Sequence, residues 1–202
     1  SRVTGRERVQ AAAAHREPDR VAVDLGGMGS TGISAVSYHH LRGHLGLPPR
    51  RTRINDIGQQ LADIHEDVLE RLAVDAVSIS RSLPPTAWND AEVMEFPIKD
   101  LSVDPPLDIE AEMLCGGLAI ERRGESWVLL DAAGDVEFVK PDGVYYFDRK
   151  KHPLAGAASI ADVSAYPWPL PDRPYLNGLR RKALYLRDHT DYALMGSFGG
   201  SI

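Results

Sequence analysis

Three short apolar runs recur along the chain, and stretches with helical periodicity lie between them. The first run covers residues 21–27 (VAVDLGG), in which four of the first five side chains are apolar and two glycines follow. Residues 76–80 (AVSIS) and 192–196 (YALMG) have the same design. A short apolar run that ends in turn residues is typical of a buried strand. The pattern therefore predicts three short strands, each followed by a loop of small residues.

Apolar residues that step by three or four positions predict helices around these strands. Thr4 and Glu7 form a capping-box pattern at the start of the first helix. The most regular period lies in residues 55–72 and predicts a helix that packs on a sheet. The predicted helices cover residues 4–15, 33–45, 55–72 and 174–189. Strands that alternate with helices in this way predict parallel pairing and an α/β fold.

Residues 83–173 have a different character and predict an inserted antiparallel β meander. The segments 127–130, 136–139 and 144–147 are β-like, and turn residues separate them. Ser159 and Asp162 are placed to cap one short helix near the end of the insert. We expect this insert to form the entrance to a binding site (its mouth), a lid over the site or an oligomer contact.

Three parallel strands alone would leave an open edge with unpaired backbone groups. A closed barrel of eight strands takes about 250 residues, whereas this chain has 202 and spends many on the insert. We therefore expect one domain, residues 1–202, that forms the amino-terminal part of a TIM barrel. We also expect it to self-associate or to pair with the missing portion.

Composition and charge limit the function classes. Hydrophobic residues make up 43% and charged residues 26%, which is typical of a globular protein. The net charge of −6 and the short basic cluster at residues 50–53 argue against a nucleic-acid partner. The single cysteine, Cys115, excludes an internal disulfide, and no apolar run has the length of a membrane helix or a signal sequence. The sequence predicts a cytoplasmic protein without membrane contacts.

Several motifs, in their order and spacing, resemble the amino-terminal half of the uroporphyrinogen decarboxylase superfamily. They are RERV (residues 6–9), AHREPDR (14–20), VDLGG (23–27), QQL (59–61) with LERLAVD (69–75), and AYPWP (165–169). The resemblance implies a TIM barrel whose active site lies at the carboxyl ends of its strands. It extends over residues 2–202 and is nearest to the corrinoid-dependent methyltransferase branch.

Two positions distinguish the branches of this family. Family decarboxylases carry an arginine after the first strand and an aspartate after the second, which hold the acidic tetrapyrrole. The matching positions here are Gly27 and Ser82. The resemblance thus implies transfer of a methyl group between a small methylated substrate or a thiol and a corrinoid on a partner protein. Uroporphyrinogen decarboxylation and a truncated, non-catalytic binding or assembly subunit are the alternatives.

The methyltransferase resemblance also implies a zinc ion, held by one histidine and two cysteines from the second half of the barrel. Zinc lowers the pKa of a bound thiol and so supplies a thiolate. Those ligands are expected outside this chain, and Cys115 lies in the insert. No catalytic residue and no metal ligand is therefore assigned within residues 1–202.

The candidate substrate-binding residues follow the three predicted strands, because barrel enzymes bind ligands at the carboxyl ends of their strands. They are Asp24, Gly26, Gly27, Ser80, Arg81, Ser82, Ser197 and Phe198. Asp24 is expected either to orient substrate or water or to cap the next helix. The glycines predict a tight turn rather than a phosphate loop, because the G-x-G-x-x-G spacing is absent.

Other conspicuous side chains have structural interpretations. His40 and His44 lie one helical turn apart, but without a third ligand they are expected on the surface. Trp127, Tyr145 and Tyr146 are expected in the core of the insert. Asp75 precedes the second strand, at the end of a barrel where a stabilising role is expected.

Overall fold

The computed structural model describes residues 2–79, 93–114, 117–168, 171 and 173–196. The helices are α1 (Gly5–Ala13), α2 (Ala35–His44), α3 (Glu66–Arg71), α4 (Ile160–Ala165) and α5 (Arg173–His189), with a 3-10 turn at Gly29–Thr31. The strands are β1 (Thr52–Asp56), β2 (Leu61–Ala62), β3 (Ala76–Ser78), β4 (Val93–Asp100), β5 (Leu107–Leu114), β6 (Ala119–Arg123), β7 (Ser126–Leu130), β8 (Val136–Pro141), β9 (Asp148–Arg149) and β10 (Ala193–Met195). The fold is of the mixed α/β type.

The three predicted strands lie side by side in parallel and in chain order. β10 pairs with β3 from Ala193 opposite Ala76 to Met195 opposite Ser78. On the other side of β3, Asp24 forms a parallel bridge with Ala76. The Asp75 N–H donates to the Val23 carbonyl and its carbonyl accepts from the Ala193 N–H, each at 2.8 Å. The predicted parallel pairing is therefore confirmed.

The first run is not the buried strand that the pattern predicts. Only Asp24 takes part in a bridge, and Val21 and Val23 are 83% and 37% exposed. The Val23 N–H donates to the Asp75 carboxylate instead of to a strand. In the described part of the chain, no strand covers the outer side of this segment, and Val21 is left in solvent.

Most helix predictions are confirmed, because they depend on local signals. Thr4 and Glu7 form the predicted capping box of α1. Ser159 and Asp162 do the same for α4. Helix α2 begins after Ser34, whose hydroxyl accepts from the Ser37 N–H at 3.2 Å. Helix α5 matches its predicted range within one residue.

The long helix predicted over residues 55–72 is wrong. This segment contains the end of β1, a turn, β2 and the short helix α3. β1 and β2 are antiparallel, with Ile54 opposite Ala62. The apolar period comes from Leu61, Ile64 and Val68, which are buried in three different local conformations. Pairing with distant residues overrides the local helical preference here.

The insert forms two sheets rather than one. β6, β7, β8 and β9 are the predicted antiparallel meander. Residues 144–147 are not a strand; the last, two-residue strand is Asp148–Arg149. β4 and β5 form a further hairpin, and β5 pairs in parallel with β1, Thr52 lying opposite Ala111. The insert is therefore continuous with residues 52–62 through the sheet of order β2-β1-β5-β4.

Two clusters of buried side chains hold these layers together. One joins the two sheets of the insert and includes Ile54, Phe96, Met113, Leu129 and Phe147. The other joins α2, α3 and α5 to the parallel strands; its members include Tyr38, Val68, Leu69, Val77 and Leu186. Burial of such side chains is the main stabilising term in folding.

Candidate functional site

The Asp24 loop, residues 24–31, follows the first parallel segment. Groups within this loop donate hydrogen bonds to the Asp24 carboxylate. Asp24 Oδ1 accepts from the Gly27 N–H at 2.8 Å, and Oδ2 accepts from the Thr31 hydroxyl at 2.9 Å. The Gly26 N–H donates to the Thr31 carbonyl at 2.9 Å, which closes the loop. Both carboxylate oxygens thus fix the backbone of residues 24–31. A further contact of Asp24 with substrate stays a prediction.

The two glycines of this loop are required by its geometry. Gly26 has φ +78°, a conformation that favours glycine. A Cβ on Gly27 would lie 2.4 Å from Asp24 Oδ1. Gly29 meets no such limit, since a Cβ there would have no neighbour within 4 Å. The predicted tight turn is confirmed, and the side chains of Ile64 and Asp24 occupy the space beside Gly26 and Gly27.

The remaining candidate residues, Ser80, Arg81, Ser82, Ser197 and Phe198, lie outside the described residues. The last described residues before them are Ile79 and Gly196. The Ile79 N–H donates to the Met195 carbonyl at 3.0 Å, so β3 and β10 end next to each other. The assignment of these five residues to a substrate site stays a prediction.

A buried ion cluster lies at the opposite, amino-terminal end of the parallel strands. The Asp75 carboxylate, 2% exposed, accepts from Arg8, from Arg20 at 2.7 and 2.9 Å, and from the Val23 N–H at 2.8 Å. Burial raises the pKa of Asp75, but the Val23 N–H, Arg20 and Arg8 outweigh it, and the net pKa is lowered. Arg8 also binds Asp19 at 2.7 Å. Asp75 is thus a structural residue, as its position predicts.

A cavity of about 550 Å³ adjoins this cluster. Its polar lining includes Arg20, Glu66, Glu70, Asp75, His189 and Asp191. Asp75 and Tyr192, which also lines it, immediately precede β3 and β10. The cavity therefore lies at the end of the strands away from the Asp24 loop, and sequence reasoning about strand carboxyl ends did not predict it.

A second polar network, which the sequence did not reveal, joins α2 to α3. The guanidinium of Arg42, 3% exposed, donates to the two oxygens of Asp67 at 2.8 and 3.0 Å and to the Pro48 carbonyl at 2.8 Å. This contact lowers the pKa of Asp67. The Tyr38 hydroxyl lies 2.8 Å from His65 Nδ1 and accepts from the His65 N–H at 2.9 Å. Burial, together with nearby arginines, lowers the pKa of His65 to about 4.

The predicted surface position of His40 is confirmed by its half-exposed side chain, but it has a specific partner. His40 Nε2 lies 2.6 Å from Oδ2 of Asp100, which is fully buried. The Ser102 hydroxyl and N–H, followed by His40, lower the pKa of Asp100 to about 2. Within the described ranges, no three His, Cys, Asp or Glu residues are grouped in a way that would hold a metal ion.

The aromatic residues of the insert only partly follow the prediction. Trp127 packs against the core of the insert. Tyr146, by contrast, is 54% exposed, so its assignment to the core is wrong. The Tyr145 hydroxyl accepts from the Leu101 N–H at 3.2 Å at the end of β4. Tyr145 therefore binds the backbone of the loop that follows β4 rather than packing in the core of the insert.

The arginines of the basic cluster each have an acidic neighbour. Arg53 binds Glu112 at 2.9 Å, Arg51 lies 3.5 Å from Glu95, and Arg50 lies 3.9 Å from Asp67. Paired arginines offer less charge to a phosphate backbone than free ones.

Comparison with known proteins found no matching family model, no matching curated protein and no matching solved structure. None of the helices in the described part of the chain is both long and apolar enough to cross a membrane.

Proposed function

We propose that this chain forms the amino-terminal part of a TIM-type barrel in a uroporphyrinogen-decarboxylase-like methyltransferase. In this proposal the protein moves a methyl group between a small methylated substrate or thiol and a corrinoid-binding partner protein. The supporting observation is the parallel arrangement of Asp24, β3 and β10 in chain order. Consecutive parallel strands that pair with their chain neighbours are the arrangement of a barrel wall.

Uncovered surfaces support the barrel part of the proposal. Among the described residues, β10 pairs only with β3, and residues 21–25 bridge only to β3. Helix α5 leaves Tyr175, Leu176 and Tyr185 about half exposed. Open strand edges and apolar helix faces are normally covered by further elements. We propose that the rest of the barrel or a second copy of the chain covers them.

The fixed conformation of the Asp24 loop supports a positioning role at the carboxyl edge of the parallel strands. Asp24 holds residues 24–31 in this conformation through the Gly27 N–H and the Thr31 hydroxyl. A reduced corrinoid, when its protein is bound, supplies a cobalt nucleophile for the methyl group. The role of the present residues in this proposal is to position the methylated substrate. The described residues contain no group of three His, Cys, Asp or Glu that could hold a metal ion, and the zinc ligands of this proposal would lie outside residues 1–202.

The test is methyl transfer by the protein that contains this chain. The purified protein is mixed with a reduced corrinoid protein and with methylated phenols, methylamines or methylated thiols, and methylation of the corrinoid is followed by its visible absorption. Turnover with one class supports the proposal. Absence of turnover with all of them refutes it. Formation of coproporphyrinogen from uroporphyrinogen would instead support the decarboxylase alternative.

A pair of glycine variants tests whether the Asp24 loop belongs to the site. Gly27→Ala forces Asp24 to move, because its Cβ would lie 2.4 Å from Oδ1. Displacement of a positioning element by about 1 Å can cost about 100-fold in rate. Gly29→Ala is the matched control, with no neighbour within 4 Å. We expect kcat/KM to fall about 100-fold in the first variant and to stay within twofold in the second. Equal activity of both variants would show that the Asp24 loop is not part of the site.

A further inference from the structure

A second cavity, of about 390 Å³, lies in the insert, where the β1–β2 turn meets the meander. Gln60 lines it from the turn, and Trp127 and Lys140 line it from β7 and β8. Ile98 and Lys99, at the end of β4, form another wall. Its volume is within the range of about 300 to 1,000 Å³ that is typical of small-molecule sites. This cavity is separate from the Asp24 loop and does not depend on the proposed methyl transfer.

Gln60 lines this cavity and has a buried hydrogen-bond donor without a partner among the residues that the structure describes. The residue is 4% exposed, and its Nε2 is buried without a hydrogen-bond partner. A buried donor without an acceptor is destabilising. The backbone of Gln60 has φ +53°, which is uncommon for a residue other than glycine. Such costs are often found where a ligand completes the site. An acceptor atom on a ligand would satisfy Nε2.

The charges around the cavity include one cation, Lys140, that forms no direct ion pair within the described part of the chain. Arg122 binds Asp142 through two hydrogen bonds, of 2.6 and 2.5 Å. Lys99 lies 3.1 Å from Asp108. Among the described residues, Lys140 forms no ion pair within 4.0 Å. Burial lowers the pKa of Lys140; the charge of Asp142 opposes this effect, and that of Arg122 adds to it. A bound anion would supply the missing charge.

The rest of the lining is apolar and partly flat. Ile98, Leu101 and Val144 contribute aliphatic surface, and Trp127 and Tyr145 contribute rings. The Arg122 guanidinium lies 5.3 Å from the centre of the Trp127 ring, which holds the indole in place. A preformed apolar wall with few polar groups is typical of a site for a small organic molecule.

We propose that this cavity binds a small carboxylate with a flat apolar body. The Lys140 ammonium neutralises the carboxylate, the Gln60 amide donates to one of its oxygens, and the body packs against Trp127. Inorganic anions lack the apolar part, and neutral aromatic molecules leave Lys140 uncompensated. The combination of these three residues thus selects the class of ligand.

Benzoate is the probe for this proposal, and benzamide is its neutral counterpart. The titration uses the full chain labelled with ¹⁵N and follows the indole N–H of Trp127, assigned with Trp127→Phe. We expect a saturable shift with benzoate and affinity for benzamide that is at least tenfold weaker. Absence of a saturable shift with benzoate, or equal affinity for the two compounds, would overturn the proposal.

Three variants test the assigned contacts. Lys140→Met keeps the long stem but removes the charge, and we expect benzoate affinity to fall at least tenfold. Lys150→Met removes the same charge from an exposed position outside the lining and should leave affinity within twofold. Equal losses in both would indicate only general charge attraction and would overturn the site. Gln60→Leu should weaken binding without lowering the unfolding midpoint of the ligand-free protein. A lower midpoint would show that the amide already has a partner in the protein, contrary to the proposal.

Discussion

Replacement of Asp75 by asparagine tests the ion cluster beneath the parallel strands. The carboxylate accepts four hydrogen bonds, one from Arg8, two from Arg20 and one from the Val23 N–H. Asparagine has the same shape but only one acceptor oxygen, and its NH₂ group would face guanidinium N–H groups. Asp75→Asn therefore removes the negative charge, and the buried amide N–H groups would face the N–H groups of the arginines without an acceptor between them.

The expected cost follows from the burial of the partners. The side chains of Asp75 and Arg8 are 2% and 6% exposed, so water has little access to this contact, whereas the side chain of Arg20 is 38% exposed. Removal of one partner from a buried ion pair typically costs about 3 to 5 kcal/mol. A domain of this size has a free energy of unfolding of about 5 to 15 kcal/mol. The substitution should therefore remove about a fifth of the stability or more.

Urea unfolding at pH 7, followed by far-ultraviolet circular dichroism, measures this loss as a shift in midpoint at constant slope. Asp188→Asn is the matched control, because Asp188 is 50% exposed and pairs with the exposed Arg187 at 2.7 Å. We expect no measurable change in the control. A loss below about 1 kcal/mol for Asp75→Asn would refute the assigned role, since it is the typical value for an exposed pair.

The pH dependence has a defined sign. The pKa of Asp75 in the folded protein lies below its ordinary value of 3.8. Its contribution to stability is therefore complete above the unfolded pKa and is lost as pH falls through the lower, folded pKa. The stability difference between wild type and Asp75→Asn should accordingly be constant near neutral pH and should narrow below about pH 4.

Two further predictions concern other parts of the fold. The pKa of His65 is about 4 in the folded protein, whereas its ordinary value is 6.5. As pH drops from 6.5 to 4, the unfolded state therefore binds a proton that the folded state does not, and the free energy of unfolding falls. The pKa difference corresponds to a loss of up to about 3 kcal/mol, which should be absent in His65→Gln. Parallel profiles of unfolding free energy against pH for the two proteins would contradict this prediction. Leu129 is fully buried between the sheets of the insert, and Leu129→Ala should cost about 2 to 5 kcal/mol in urea unfolding. The exposed Leu176, changed to alanine, is its control, and similar losses in both would be evidence against the two-sheet core.

Local signals account for what the sequence predicted well. The capping boxes of Thr4 and Ser159 and the glycine turn at Gly26 depend on residues within a few positions of each other, and each is present. The parallel pairing of β3 with β10 follows from the alternation of strands and helices. These features could be inferred because their chemistry is contained in short segments.

Contacts between distant residues account for what the sequence did not predict. Residues 52–62 form a hairpin because β1 pairs with β5, about 60 positions further along the chain. Arg8 and Arg20 reach Asp75 across 67 and 55 positions, and no local pattern marks such a partnership. Gln60 and Lys140 share a cavity for the same reason. The hydrophobic periodicity of a segment predicts the secondary structure of that segment, but it does not predict which other elements the segment contacts.

The β1–β2 hairpin has a mechanical consequence. It pairs with the insert through β5, and it also binds the chain just beyond the Asp24 loop, where the Ala35 N–H donates to the Gln60 carbonyl and the Ala62 N–H donates to the Ile33 carbonyl, each at 2.9 Å. The hairpin therefore joins the insert to the segment that carries the Asp24 loop through backbone hydrogen bonds on both sides. We expect these two segments to move together rather than independently.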